Sequence, residues 1–225
     1  MAKLKRTVDP YLDDLRETVL RMGSLCEAIL AKAMRAVWER NAELAEQVRH
    51  DDLEIDRLDL RIDEEVTEVL ALQQPVANDL RRVLAIRTMA SDLERVGDLA
   101  RNIAKSAERL AASPPVPAPP RLEDLADQAR RALRGSLDAF SDSNSDRARC
   151  VLDSDDAIDE TEERFVHEAI DDAGAHPEHM AQEVELILIA KNLERVADHA
   201  TNIAEEVIFL TEARLVRHES KLNAI

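Results

Sequence analysis

A chain of 225 residues with four glycines, 2% aromatic and 34% charged residues can bury the core of one large or two small domains, and its wealth of Ala, Leu, Glu and Arg favours long helices over sheets. Thirty basic against 47 acidic residues give a formal charge of −17, which opposes duplex nucleic acid and anionic bilayers, and Tyr11, Trp38, Phe140, Phe165 and Phe209 are too scattered to stack on bases. Cys26 and Cys150 have no C-x-x-C spacing for zinc or redox chemistry, and no stretch approaches the roughly 20 apolar residues that span a bilayer, so a reducing, cytoplasmic setting is expected.

Asp9-Pro10 reads as a cap followed by a first-turn proline, with Lys3, Lys5 and Arg6 before it as a small basic start. From there Leu12, Leu15, Val19, Met22, Cys26, Ile29, Ala33 and Ala36 recur at steps of three and four, the seam of a first helix. A second run over about 44–72 keeps this rhythm with Val48, Ile55, Ile62, Val66 and Val69, but puts Asp52 and Asp59 in seam slots, where a plain apolar core has no use for them. Pro75 ends the run, and a third helix is expected over about 78–110, each of the three being roughly 45 Å long.

The proline-rich stretch at 113–120 cannot continue a helix and reads as a stiff linker. Beyond it, helices are expected near 122–140, 146–173 and 177–217, separated by a turn from Ser141 to Ser145 and by Gly174. The predicted architecture is therefore all-α: two tandem three-helix bundles, residues 1–112 and 121–225, arising by internal duplication and joined by the linker.

Duplication is carried by the motif L-E-R-V-x-D-x-A-x-N-I-A, at 93–104 and again at 193–204, where the two copies differ only at Gly97/Ala197, Leu99/His199 and Arg101/Thr201. At about 100° per residue, Glu94, Asp98 and Asn102 share one stripe, as do Glu194, Asp198 and Asn202. Carboxylates four apart repel by a few tenths of a kcal/mol on an exposed helix, and by more when partly buried. Small residues beside the stripe, Ala90 and Gly97 or Ala190 and Ala197, let a neighbouring helix approach. The second helix of each half supplies matching pairs, Asp52 with Asp56 and Asp155 with Asp159. Facing pairs would gather four carboxylates around one space, as a hard, oxygen-preferring cation requires, giving one metal centre per half.

A competing reading treats each motif as a solvated face whose acids are neutralised by Arg95 or Arg101, with Asn102 and Asn202 as interhelical hydrogen-bond partners. His199 reads as an interface or core histidine, and His176 and His179 as capping or surface residues. A phosphate-binding glycine loop, G-x-S-x-G, H-E-x-x-H and the E-x-x-H pair of di-iron bundles are all missing from the sequence.

Three segments in this order, Pro75-Val76-Ala77-Asn78-Asp79-Leu80-Arg81, the 93–104 motif and its 193–204 copy, with Val216-Arg217-His218 near the end, resemble the PhoU family over nearly the whole chain. The resemblance implies a non-enzymatic, cytoplasmic accessory protein of phosphate transport, peripheral to the inner face of the membrane through protein partners. It implies negative regulation of phosphate uptake and of the phosphate-starvation response, with the protein linking a PstB-type transporter ATPase and a PhoR-type sensor histidine kinase. A homodimer is implied too, as are divalent or trivalent metal ions (Fe, Zn, Mg or Mn), in multinuclear clusters, at paired acidic motifs. In this sequence those motifs fall on Glu94 and Asp98, on Glu194 and Asp198, and with them on Asp52, Asp56, Asp155 and Asp159. The halves differ where His176-Pro177-Glu178-His179-Met180 replaces the P-V-A-x-D-L-R run of the first. Two rivals stand beside this: a carboxylate metal-dependent enzyme acting on a phosphoester or on oxygen, and a purely structural helical spacer.

Overall fold

The computed structural model describes residues 8–116 and 120–216, and every regular element among them is helical. The elements are α1 (Asp9–Glu39), α2 (Ala42–Gln73), α3 (Asn78–Ala112), α4 (Pro120–Asp142), α5 (Ser145–Leu152), α6 (Asp155–Ala175) and α7 (Met180–Glu212), with a 3-10 turn at Pro177–His179 before α7. Lys3, Lys5 and Arg6, residues 117–119 of the linker, and Arg217 with His218 lie outside the described residues.

All eight seam residues of α1, from Leu12 to Ala36, are buried, as the heptad rhythm requires. Two helix starts are set by asparagine: Asn41 Oδ1 accepts from the backbone N–H groups of Glu43 and Leu44 at 3.0 and 3.1 Å, and Asn144 Oδ1 from those of Asp146 and Arg147 at 3.0 and 3.1 Å. Helix ends depart from the expected chemistry. Arg40, Gln74, Ser143 and Ala213 all close helical runs with positive φ, where glycine is the usual residue. Arg40 compensates, because its guanidinium donates to the carbonyls of Leu110 and Ser113 and so satisfies the end of α3.

Three local expectations are corrected. Asp9 is the first helical residue and not the cap, since helix α1 starts after Val8 without a side-chain cap. The helix expected over 146–173 is two helices: Ser154 N–H bonds to the Val151 carbonyl at 3.1 Å, a tighter i to i−3 step, and its hydroxyl donates to the same oxygen at 2.7 Å. Gly174 does not stop α6, which runs on to Ala175; a β carbon there would meet open space, so packing places no demand for glycine at that position.

Helices α1, α2 and α3 pack on one another, and α4, α5, α6 and α7 repeat that plan with the second helix split. A helix interface as extensive as any within a half, however, joins the halves: α3 lies along α7, and α1 meets α4. Buried apolar side chains of both halves consequently form one contiguous core. Polar contacts fix α3 and α7 as antiparallel, with Arg109 bonded to Glu185 at 3.0 Å, Asn202 to Asp92 at 3.1 Å, and the Arg81 guanidinium 5.4 Å from the Phe209 ring centre.

At the α1–α4 crossing, Gly23 admits Leu137, whose Cδ2 occupies the space that a β carbon at residue 23 would need. Gly23→Val is therefore expected to overpack this crossing and destabilise the protein by about 2 kcal/mol, and by nearly nothing in a Leu137→Ala background. Denaturant melts of the four proteins in this cycle provide the check.

Candidate metal centre

The acidic motifs meet across the α2–α3 groove in one half and the α6–α7 groove in the other. In the first half the approach depends on Gly97, where a β carbon would stand 2.6 Å from Asp52 Oδ1 and 3.3 Å from Ile55 Cδ1. Asp52 is thereby 1% exposed, a carboxylate in a seam slot. Arg101 answers it: one guanidinium nitrogen bonds Asp52 Oδ2 at 2.8 Å and the other bonds Asp98. Two turns along α2, Asp59 bonds Arg87 at 3.1 Å and Asp63 bonds the same guanidinium at 3.2 Å, while Arg95 stands 3.5 Å from Glu94 and 3.4 Å from Asp98. Burial pushes the Asp52, Asp59 and Glu94 carboxyls above their usual range, and Arg101, Arg87 and Arg95 respectively pull each back.

The second half has the same skeleton with different neutralisation. Thr201 stands where Arg101 stands, and its hydroxyl donates to the Asp198 carbonyl at 2.7 Å, so that position sends no guanidinium into the groove. One oxygen each of Asp155, Asp159 and Asp198 lie within 4.8 Å of one another. Asp155 Oδ1 is buried without a hydrogen-bond partner, and beside it opens a polar groove of about 520 Å³ whose lining sets Asp155, Asp156, Thr201 and Glu205 together with the cations Arg149 and Arg214. A turn further on, Lys191 bonds Glu162 at 2.9 Å. Burial, followed by the charges of Asp159 and Asp198, raises the Asp155 carboxyl to about 6. Burial, followed by Asp198 and Asp159, raises Glu194 to about 7, with Lys191 offsetting part of the rise.

Of the eight acids predicted as ligands, Asp155, Asp159 and Asp198 converge as a metal-sized set, with Glu194 adding its charge from the next turn. Asp52 and Asp98 instead hold Arg101 between them, with Asp56 and Glu94 in the same field. Fit to a cation thus differs between halves. The second half offers converging oxygens and an unpartnered buried carboxylate oxygen; the first already holds a positive charge. Asp59, an ill-fitting seam residue in the sequence, is bonded to Arg87, and Glu162 occupies the corresponding place in α6. His199 and Asn202 behave as interface residues, both meeting Asp92 of α3, at 2.9 and 3.1 Å. His179 stands at the N-terminus of α7 without capping it through its side chain, and its Nδ1 meets the Asp172 side chain of α6 at 3.0 Å.

Several known proteins share this plan. A family model described as PhoU domain matches residues 19–107 and again 122–207. The phosphate-specific transport system accessory protein PhoU homolog of Pseudomonas putida is 36% identical over 92% of this chain and 81% of its own length. That of Caulobacter vibrioides is 34% identical over 98% of both chains. Among solved structures, PhoU from Pseudomonas aeruginosa superposes with a TM-score of 0.90 at 32% identity, covering 92% of this chain and 100% of that one. The phosphate transport system regulatory protein PhoU from Streptococcus pneumoniae gives 0.85 at 28%, covering 93% and 99%.

The raised carboxyls have a consequence for the metal-free protein. A carboxyl with a higher pKa in the folded state holds a proton that the unfolded chain releases, so its contribution to stability declines as pH rises through about 6 for Asp155 and about 7 for Glu194. In chelator, Glu194→Gln is expected to melt at a higher temperature than the parent near pH 8, with the gap closing near about pH 4. Thermal melts across that range give the answer.

Proposed function

This chain belongs to the PhoU family, and on that premise we propose that it is a negative regulator of phosphate uptake and of the phosphate-starvation response, acting by binding proteins and not by turnover. Its partners in this reading are the transporter's PstB-type ATPase and a PhoR-type sensor kinase at the inner face of the membrane, met by the chain alone or paired with a second copy. Among the described residues no helix is long and apolar enough to cross a membrane, in keeping with recruitment through other proteins.

The observation that carries the protein-binding reading is the turn between α2 and α3. Gln74 and Ala77 both adopt positive φ, 44° and 48°, without being glycine, and the turn holds Val76 72% and Leu72 66% exposed, with Leu80 also open to solvent. Strained backbone that presents apolar side chains to water marks a surface kept for a partner. A strain lacking this gene is expected to show high alkaline phosphatase in phosphate-rich medium, restored to low by the parent and not by Val76→Asp. Low alkaline phosphatase in the deletion strain, with no detectable binding to kinase or ATPase, would sink the reading.

Within that role, Asp155, Asp159 and Asp198 would hold a metal ion, with Glu194 close enough to reinforce the field. An all-carboxylate set favours a hard cation such as Mg²⁺, Mn²⁺ or iron over Zn²⁺, which prefers nitrogen and sulfur donors. When bound, the ion supplies the positive charge that Arg101 supplies in the first half. Thr201→Arg should therefore abolish metal-dependent stabilisation while raising the stability of the metal-free protein near neutral pH. Metal titrations followed by thermal melts test this, and a variant that still gains stability from metal as the parent does would contradict it.

A further inference from the structure

Across the α3–α7 seam runs a groove of about 440 Å³ whose charge opposes that of the molecule. Four cations line it, Lys105 and Arg109 from α3 and Lys191 and Arg195 from α7, and no acidic side chain does. Two are tethered from outside, Arg109 to Glu185 at 3.0 Å and Lys191 to Glu162 at 2.9 Å. Lys105 and Arg195 make no ion pair with any described residue. In a chain with 47 acidic residues, four cations nonetheless gather around this one groove, and two of them are left without a counter-charge and open to an anionic ligand.

Duplication supplies an internal control. At the hundred-residue offset of the repeat, Lys105 corresponds to Glu205, Arg109 to Phe209 and Lys191 to Ser91, with only Arg195 retained, as Arg95. The opposite edge of the same seam also carries Asp92. Packing α3 on α7 therefore does not demand basic residues along its edges.

The shape of the array selects the ligand. The register set by Arg109 with Glu185 and Asp92 with Asn202 places the four cations one after another along the seam, Arg109 and Lys105 followed by Lys191 and Arg195, over roughly 15 Å at 1.5 Å per residue. One phosphate group cannot span that row. Asn102, Asn192 and Ser106 add amide and hydroxyl donors, and Leu188 is the single apolar side chain of the lining, so the groove offers an oxyanion much and a peptide's side chains little.

We propose that this groove binds a linear chain of phosphoryl groups, such as a free polyphosphate or the triphosphate of a nucleotide. The groove borders the acidic cluster of the second half through Lys191 and requires no metal there.

Calorimetric titration of the chelator-treated full chain with tripolyphosphate and with orthophosphate, in about 0.1 M salt, tests it. Tripolyphosphate should bind at least about tenfold more tightly than orthophosphate, and Lys105→Glu with Arg195→Glu should weaken it by about tenfold or more. Both residues are exposed, so the variant should melt as the parent does, and Arg57→Glu on α2 should bind normally. Adenosine triphosphate binding like tripolyphosphate points to a nucleotide source, and tripolyphosphate alone binding points to free polyphosphate; either supports the site. No binding of either by the parent, equal affinity for orthophosphate, an unaffected double variant, or displacement by a poly-glutamate peptide of equal affinity would overturn it.

Discussion

Carboxylates set four residues apart on one helix, facing a second such pair across a narrow groove, repel one another, and the fold must supply the neutralising charge or tolerate its absence. Everything distinctive here follows from that constraint. In the first half the charge is built in, because Arg101 reaches back from α3 to bind Asp52 and Asp98 together. In the second half the same position is Thr201, and burial, followed by the neighbouring Asp159 and Asp198 charges, raises the carboxyls of Asp155 and Glu194 to about 6 and about 7. The duplicated scaffold thus holds one groove with a guanidinium between its carboxylates and one in which that position is Thr201 and three carboxylate oxygens converge.

The scaffold makes such crowding possible through small residues at close crossings. Gly97 lets Asp52 sit against α3, as Gly23 lets Leu137 of the other half approach α1. The longest helices, α3 and α7, carry the motifs and also form the main interface between halves, so each contributes one face to a groove and another to the common core. A charge change in one groove is therefore borne by a helix that the other half also depends on, through Asp92, His199 and Asn202.

Much of this was legible in the sequence because it rests on local periodicity. The seam from Leu12 to Ala36 and the repeat at 93–104 and 193–204 needed only spacing, and the misfit of Asp52 and Asp59 in an apolar seam pointed at a charged groove before any contact was known. What escaped were effects that depend on the reach of a side chain or on a conformation without a sequence signal. That Arg101 differs from Thr201 is plain in the repeat; that its guanidinium fills the space between Asp52 and Asp98 is not. The break at Asp153 and Ser154 uses helical dihedrals and neither glycine nor proline, and helix ends at Arg40 and Gln74 occupy the left-handed region without glycine. The basic groove draws Lys105 and Lys191 from helices far apart in the chain, so no window of sequence contains it.

Anomalous X-ray diffraction from crystals of protein purified without chelators, and soaked with Mn²⁺, tests the central asymmetry most directly. The account expects anomalous density among Asp155, Asp159 and Asp198, and none between Asp52 and Asp98, where Arg101 remains in place. Density of equal strength in both halves, with Arg101 displaced, or density in the first half alone, would contradict it.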